Sequence, residues 1–405
     1  MAPAITRKSG VRVDVLIIGA GPAGSAAAIM LARAGYDVLM IDRCVFPRDK
    51  VCGDALIPDA LTALGRLGLR ERVLRRSRVL EGARVYAPDG HFVEIQGECA
   101  CLPRRTFDEM LRSEAVSAGA RFVGGVTVRN ALVDGDAVVG ADLGTSRIRA
   151  DVTLLATGAA AESLKRFGVC HRVAPSATAA RVHVRTDESF ARRFTHLCIS
   201  YDAPICPGYG WIFPGPDATF NVGVGYYYDA KTPPPEKNVR KLLTRFVQTF
   251  PPAVAVMSHA ATVTELRGAP LRTALCGAAL SRPGLLVLGE AAGLTYSFSG
   301  EGIGKALASG IIASEAVAEC GPPASDRAKT IADAYSSRIR ESLGSRFLAY
   351  KIAQDWLSNR AFANLLARRA RKSRFVQREL SGLFLETTDP RRLFSIAGFM
   401  RSFVT

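Results

Sequence analysis

A strand, three spaced glycines and a second strand that ends in an acid constrain this fold more than any other feature. The β-branched run at 13–18 is followed by Gly19, Gly21 and Gly24, an alanine-rich helix, and a strand that ends at Asp42. Gly19 permits the tight turn, Gly21 lets the backbone approach a pyrophosphate, and Gly24 lets the helix pack on the sheet. The helix start offers free N–H groups to phosphate. The pattern predicts a dinucleotide-binding βαβ unit in which Asp42 accepts hydrogen bonds from a ribose.

Length and composition are typical of a globular enzyme with two interleaved domains and a tail. The 405 residues include no uninterrupted run of 18 apolar residues, so the sequence predicts no membrane span. Nine cysteines are scattered without metal-ligand spacing, so we expect reduced thiols and no metal site. The glycine motif within the N-terminal apolar stretch argues against an export signal. We expect a cytoplasmic protein, or one peripheral to the membrane.

The net charge of +16 is partly explained by residues 360–378, which contain seven basic residues and no acid. Apolar residues interleave with them. The pattern is typical of a basic amphipathic helix that lies on an anionic membrane or contacts an acidic carrier protein. The alternative is a solvated helix face packed on its own domain. No nucleic-acid reading module accompanies the charge, so we expect no nucleic-acid partner.

The order of elements predicts an α/β (α+β) fold with a Rossmann-like dinucleotide-binding domain, an interleaved antiparallel-sheet domain and a C-terminal helical region. Strand patterns at 151–158 and 284–289 return to the first sheet, whereas 176–228 predicts long strands of the second sheet. The predicted boundaries are 1–80, 100–170 and 265–320 for the dinucleotide-binding domain, 81–99 and 171–264 for the substrate-binding sheet domain, and 321–405 for the helical region.

A second glycine-rich segment, at 289–304, follows a buried strand and opens the next helix. It resembles the segment of para-hydroxybenzoate hydroxylase-type flavoproteins in which a Gly-Asp pair binds the ribityl chain of FAD. The later glycines of those proteins set a helix N-terminus against the flavin pyrimidine and stabilise the reduced flavin. The resemblance implies five FAD contacts in this segment: Gly289, Glu290, Gly300, Gly302 and Ile303.

Two further segments are similar to geranylgeranyl reductase-like flavoproteins of the same superfamily. One is the Lys-x-Cys-Gly pattern within 48–54, and the other is the Tyr-x-Trp-x-Phe-Pro pattern within 209–214, which the Asn-Val-Gly-x-Gly pattern at 221–225 follows. Arg104 resembles a flavin-contacting arginine, and Gly158 ends a strand in the manner of two-dinucleotide flavoproteins. The likeness covers residues 12–315. With the first motif, it implies these further FAD contacts: Gly19, Gly21, Ala23, Gly24, Asp42, Arg43, Cys52, Gly53, Arg104 and Gly158.

The chain departs from these patterns at three positions. Glu290 replaces the expected aspartate, Ser297 replaces a proline, and Thr157 stands where hydroxylating members carry aspartate. The last difference argues against hydroxylation driven by NAD(P)H. The sequence has no second Gly-x-Gly-x-x-Gly, so we expect electrons from transiently bound NAD(P)H, an external reductant or the substrate itself.

Hydride transfer at flavin N5 requires a dry pocket and a group that handles the matching proton. Cys52, whose neighbour Lys50 favours the thiolate, is the first catalytic candidate, and Glu301 is the second. A small buried hydrophobe and a helix-start acid are the respective alternatives. The predicted substrate contacts are aromatic residues of the second sheet: Tyr209, Trp211, Phe213 and Tyr226. Packing inside the sheet domain is the alternative for them.

The resemblance implies an FAD-dependent oxidoreductase that reduces, or in reverse desaturates, carbon–carbon double bonds of an apolar, aromatic or polyunsaturated small molecule. The positive charge favours a substrate linked to phosphate or to an acidic carrier. The alternative enzyme is a monooxygenase or halogenase that acts through a C4a-peroxyflavin on an aromatic or polyketide-like substrate. A non-catalytic flavin-binding module is the alternative outside enzymes.

Overall fold

The computed structural model describes residues 11–201, 205, 208–228, 238–297, 299–321 and 327–403. The strands in this part of the chain are β1 (Val11–Ile18), β2 (Val38–Asp42), β3 (Ala55–Leu56), β4 (Arg78–Tyr86), β5 (Phe92–Cys101), β6 (Arg121–Gly124), β7 (Asn130–Asp134), β8 (Ala137–Asp142), β9 (Arg147–Leu155), β10 (Ala177–Arg185), β11 (His196–Ser200), β12 (Tyr209–Pro214), β13 (Thr219–Tyr227), β14 (Thr262–Val263), β15 (Arg267–Leu271), β16 (Ser281–Arg282) and β17 (Leu285–Val287). The helices are α1 (Pro22–Arg33), α2 (Pro58–Arg66), α3 (Arg70–Leu74), α4 (Arg104–Ser117), α5 (Ala161–Arg166), α6 (Glu188–Ala191), α7 (Val239–Thr249), α8 (Pro251–Ser258), α9 (Ile303–Glu319), α10 (Ala328–Ile339), α11 (Ser345–Leu357), α12 (Arg360–Ala370), α13 (Arg374–Phe384) and α14 (Ile396–Arg401).

The first sheet has the order β16-β17-β9-β1-β2-β6, with the β7–β8 hairpin attached to β9. β1 pairs in parallel with β2 on one side and with β9 on the other. The chain therefore leaves β1 towards one neighbour and returns later to the opposite one. The carboxyl end of β1 is the switch point at which open parallel sheets bind ligands. The first glycine loop lies there, and the predicted α/β architecture is confirmed.

Small residues let α9 pack directly against α1. A Cβ built on Gly310 of α9 would lie 2.3 Å from the carbonyl oxygen of Ala23, so only glycine permits this approach. A Cβ on Gly289 would lie 3.1 Å from the Ala23 Cβ. The close approach brings the second glycine segment beside the first, although about 270 residues separate them in the chain.

The second sheet has the order β14-β10-β13-β12-β11-β4-β5-β3, with β15 also paired to β10. Its pairs are antiparallel except for β11 with β4, which agrees with the mostly antiparallel prediction. The sheet exceeds the predicted boundaries, because β3 and β15 belong to it although 1–80 and 265–320 were assigned to the other domain. β4 and β5 likewise reach Arg78 and Cys101. A two-residue strand and the sequence Arg-Gly-Ala-Pro-Leu have no apolar alternation to reveal them.

The C-terminal region is helical, as predicted, and packs on both sheets. The Tyr335 hydroxyl of α10 donates a 2.7 Å hydrogen bond to the Val287 carbonyl. In 360–378, Leu366, Phe375 and Val376 are buried in a local core. The apolar face of this basic segment is therefore covered by its own domain, which is the alternative to the membrane-lying helix. Within the described ranges, no helix has the length and apolar character needed to cross a membrane.

Candidate functional site

A cavity of about 540 Å³ joins the two glycine segments. The first loop borders it through Gly19, Gly21 and Ala23, and the second borders it through Gly300 and Gly302. Further predicted site residues line the same cavity: Asp42, Arg43, Cys52, Gly53, Arg104, Gly158, Glu290, Glu301, Ile303, Tyr209, Trp211 and Phe213. Side chains from both sheets therefore meet in one groove between the two helix starts.

Glycine is required by the backbone at two positions of the first loop. Gly19 has a φ of +108°, and a Cβ there would lie 2.3 Å from the carbonyl oxygen of Ala156. Gly24 does not line the cavity, and its Cβ would lie 1.9 Å from the Gly19 carbonyl oxygen. Among the described residues no side chain caps the start of α1, so the N–H groups of this helix start stay available to an anion. A Cβ built on Gly21 would lie 3.6 Å from the Arg48 guanidinium, so this cation lies close to the glycine loop.

The acid that ends β2 braces this loop. One carboxylate oxygen of Asp42 accepts the N–H of Ala20 at 2.8 Å, and the other accepts the N–H of Cys44 at 2.8 Å. Each carboxylate oxygen can accept more than one hydrogen bond, so the buried Asp42 retains acceptor capacity on the cavity side. Arg43 is exposed at the rim.

A buried arginine, not a lysine, is the cation beside Cys52. Arg104 binds Asp108 in a bidentate pair with bonds of 2.7 and 2.8 Å. Burial by itself would lower the pKa of Arg104, but Asp108 and the Cys52 thiol outweigh burial and raise this pKa. Lys50 instead places its Nζ 3.4 Å from Glu290 Oε2. The interpretation that Lys50 activates Cys52 is corrected, because Glu290 engages the lysine.

The amide of Asn221 fastens the 52–54 loop to the second sheet. Its Nδ2 donates to the Cys52 carbonyl and to Asp54 Oδ2, both at 2.7 Å, and its Oδ1 accepts the Trp211 Nε1–H at 2.9 Å. His183 Nε2 lies 2.8 Å from the same Asp54 oxygen. Asp54 has a φ of +67°, so the network holds the backbone in a conformation that residues other than glycine rarely adopt.

We expect Asn221→Ala to destabilise the protein by about 2–4 kcal/mol, because the Trp211 N–H and the Cys52 carbonyl would be buried without their partner. The measurement is the denaturant midpoint of unfolding, followed by tryptophan emission. Asn130→Ala, at an exposed position of β7, is the control and should change stability little. An unchanged midpoint for the Asn221 variant would show that water replaces the amide.

The substrate side of the cavity is an aromatic wall from β12 and β13. Tyr209, Trp211 and Phe213 project from one face of β12, and Tyr227 of β13 joins them. Tyr226 does not line the cavity, so the structure replaces this predicted contact with its neighbour. Successive strand residues face opposite sides, and the sequence alone did not set the register. The Tyr209 hydroxyl donates to the Ser299 carbonyl at 2.5 Å, and burial raises the pKa of both cavity tyrosines.

Glu301 belongs to a buried cluster of three carboxylates and two cations. Its Oε1 accepts the Gly304 N–H of α9 at 2.7 Å, and its buried Oε2 has no hydrogen-bond partner in the described part of the chain. Asp59, Glu301 and Glu386 place carboxylate oxygens within 4.8 Å of one another. Lys305 Nζ lies 2.9 Å from Asp59 and 2.6 Å from Glu386.

The charge balance of this cluster favours one retained proton. Arg346 adds a second cation, 2.8 Å from Glu386, so two positive charges face three carboxyl groups. Burial, and then repulsion from Asp59, raises the pKa of Glu301 well above its ordinary value despite Lys305. Burial therefore favours the protonated form of Glu301, and this carboxyl group borders the cavity.

Comparisons with known proteins agree with this geometry. The family model described as "FAD binding domain" matches residues 12–303. The chain belongs to this family.

Relatives and solved structures extend the family assignment. A menaquinone reductase of Mycolicibacterium smegmatis is 32% identical over 75% of this chain and 76% of its own length. A digeranylgeranylglycerophospholipid reductase of Methanopyrus kandleri is 30% identical over 82% of this chain and 84% of its own. In structure, a geranylgeranyl bacteriochlorophyll reductase-like protein of Thermoplasma acidophilum matches with a TM-score of 0.77 at 21% identity, covering 98% of this chain and 96% of its own. A flavin-dependent brominase matches with a TM-score of 0.72 at 21% identity, covering 97% and 98%.

The predicted FAD cofactor and the flavin-dependent oxidoreductase class are thus confirmed, and so is the resemblance to geranylgeranyl reductase-like proteins. The groove fits FAD, because an uncapped helix start, a glycine cradle, and a second helix start lie along one cavity. Gly24 and Gly289 act through backbone packing and do not border the groove.

Sequence reasoning missed several residues at the site. Arg48, Asp54 and Asn221 lie within segments that the resemblance had identified, so the motif positions were a usable signal. Lys305 and Glu386 were not foreseen, and Glu386 comes from the helical region that the prediction treated as separate. No local pattern marks a side chain that reaches the site from another part of the chain.

Proposed function

We propose that this FAD-dependent oxidoreductase reduces carbon–carbon double bonds of an elongated, apolar, isoprenoid-like small molecule. The observation that carries the proposal is the aromatic cavity beside the flavin groove and its apolar extension. A second cavity of about 130 Å³ shares Ile57, Ile199, Ser299 and Phe384 with the first. It continues between the second sheet and the C-terminal helices. The names of the menaquinone and prenyl-lipid reductase relatives support the same substrate class.

The FAD contacts in this proposal follow the groove. The start of α1, with Gly19, Gly21, Ala23 and Arg48, holds the pyrophosphate, while Asp42 and Arg43 hold the adenosine. Glu290, held by Lys50, serves the ribityl chain. The start of α9, at Gly300, Gly302 and Ile303, faces the ring. All of these roles depend on one orientation of the cofactor. FAD held in this groove would supply the hydride, with electrons from NAD(P)H or an external reductant.

The protein residues handle the rest of the reaction. Tyr209, Trp211, Phe213 and Tyr227 hold the double bond and exclude water from it. After a hydride adds to one carbon of the double bond, the other carbon needs a proton, and protonated Glu301 donates it. Cys52, which lies beside Arg104, is the competing proton donor.

The decisive experiment is anaerobic single turnover of the purified yellow protein. Chemically reduced flavin should be reoxidised by a polyprenyl substrate, and the product should gain two hydrogens per reduced double bond by mass spectrometry. Reoxidation that requires oxygen and inserts oxygen or halide would instead establish the monooxygenase or halogenase, whose fold the brominase shares. Absence of substrate-dependent reoxidation by either route would leave the non-catalytic flavin module.

The second cavity should determine which lengths of substrate tail the protein accepts. Ala367 of α12 lines it and is buried. We expect Ala367→Phe to raise KM for long-chain substrates about 10-fold, because the ring fills space that the tail would use. A truncated substrate assayed with the same variant is the control and should keep its KM. Equal effects on both substrates would place the tail elsewhere.

The +16 charge also belongs to the proposal. Six of the seven basic residues of 360–378 are exposed and Arg369 is half-buried, so this segment offers a charged surface. We propose that it attracts an anionic partner of the substrate, either a phospholipid surface or an acidic carrier. Salt screening should weaken such an attraction.

A further inference from the structure

The last helix of the chain exposes an apolar face. Ile396, Met400 and Phe403 are 78%, 61% and 50% exposed. Their i, i+4, i+7 spacing places them on one side of α14 and its final turn. The opposite side faces the protein, where Gly398 and Ser402 are buried and Phe399 contacts Phe362. We call the three outward side chains the apolar ridge.

The C-terminal segment that carries the apolar ridge is strongly basic. Residues 360–403 contain ten basic and three acidic residues, a net charge of +7. The three acids are engaged: Glu379 is buried beside Arg378 and Arg392, Glu386 pairs with Lys305, and Asp389 pairs with Arg391. The Arg369 guanidinium lies over the Phe403 ring, 4.7 Å from its centroid. With these pairs and the ion pair of Arg368 with Asp89, the segment still carries an excess of positive charge.

We propose that the apolar ridge and its basic surroundings form a docking surface for an anionic phospholipid bilayer. Large apolar side chains that insert at the interface, with arginines and lysines at headgroup level, are the two elements of peripheral membrane binding. A second protein would need an acidic groove that matches three apolar side chains, whereas a bilayer accepts them without shape matching. The proposal locates the membrane contact on α14 and not on the apolar face of 360–378.

The docking surface also lies beside helices that border the second cavity, which is the proposed passage for the substrate. α12, whose Arg369 contacts Phe403, lines the second cavity through Ala363, Leu366 and Ala367. A bilayer held here would bring apolar lipids next to the passage. This last step depends on the proposed reductase function, while docking itself is measured without turnover.

The test is sedimentation of the full chain with vesicles. Wild type should bind vesicles of phosphatidylcholine containing phosphatidylglycerol and should bind pure phosphatidylcholine much more weakly. The double variant Ile396→Asp/Met400→Asp should lower partitioning about 10-fold or more, and so should Arg371→Gln/Lys372→Gln/Arg374→Gln. Val133→Asp, at a 56% exposed position of β7, is the matched control and should bind as wild type. Flavin absorbance of each variant verifies folding.

Two results would overturn the proposal. One is unchanged vesicle binding by both sets of variants, and the other is binding to an acidic acyl carrier protein with none to the anionic vesicles. Turnover of detergent-dispersed substrate separates this inference from the reductase proposal. Normal turnover without vesicle binding rejects docking alone, whereas vesicle binding without any turnover rejects the reductase function alone.

Discussion

Replacement of Glu301 by glutamine should lower the rate of substrate reduction about 10²- to 10⁴-fold, the usual contribution of a positioned proton donor. The glutamine carbonyl can still accept the Gly304 N–H, so the start of α9 and flavin binding should persist. Glutamine cannot release the proton that the nascent carbanion requires. Single-turnover reoxidation of the reduced flavin by substrate is the measurement.

The same proton donor predicts the direction in which activity changes with pH. Burial and Asp59 raise the pKa of Glu301, and only the protonated form donates. Wild-type activity should therefore be present below that raised pKa and decline as pH rises through it. The facing groups are Asp59 of α2, Lys305 of α9, Arg346 of α11 and Glu386 of the C-terminal region. Asp59→Asn removes one repulsion, so it should move the alkaline decline to lower pH.

Two controls assign the effect. Glu319→Gln, at the exposed end of α9, should leave the rate and the pH profile unchanged. Cys52→Ser tests the competing donor. If the cysteine variant loses the rate and the Glu301 variant keeps it, the proton comes from Cys52, and the role proposed for the carboxylate cluster is wrong.

A single methyl group at Gly24 should abolish flavin retention. In Gly24→Ala the new Cβ would lie 1.9 Å from the Gly19 carbonyl oxygen and 3.0 Å from the Ile17 side chain. Backbone cannot yield as a flexible side chain can, so α1 must move away from β1. Since phosphate binding depends on the position of that helix start, we expect FAD affinity to fall at least about 100-fold, with several kcal/mol of lost stability.

Gly65→Ala is the matched control for this prediction. Gly65 lies in α2, and a Cβ there meets nothing within 4 Å. Alanine is the better helix former by about 1 kcal/mol, so this variant should retain FAD and gain slightly in stability. Released flavin after gel filtration and the thermal midpoint measure both effects. Normal FAD content in Gly24→Ala would mean that the loop geometry is not required for binding.

Local patterns were enough to predict the first glycine loop and the two-sheet architecture. Glycine is required at position 19 by the Ala156 carbonyl and at position 24 by the Gly19 carbonyl, but the spacing of both to β1 and α1 is already visible in the sequence. The second glycine segment was found by resemblance, and its position beside the first depends on Gly310 and Ala23 coming together. The sequence predicts a cavity contact for Tyr226, whereas the structure has Tyr227 there. Alternation along a strand shows that neighbouring residues face opposite sides, but it does not show which side borders the cavity.

The sequence by itself determined the βαβ unit and the alternation of helices and strands, because each depends on residues within a few positions of one another. The flavin class followed from the resemblance of its motifs to known flavoproteins. Tertiary structure decided which cation lies beside Cys52, which carboxyl group of the buried cluster favours a proton, and which apolar face remains exposed. Asn221 reaches Cys52 across 169 residues, and Lys305 reaches Glu386 across 81. Such contacts depend on packing between distant segments, and burial in that packing sets the charge states of the site.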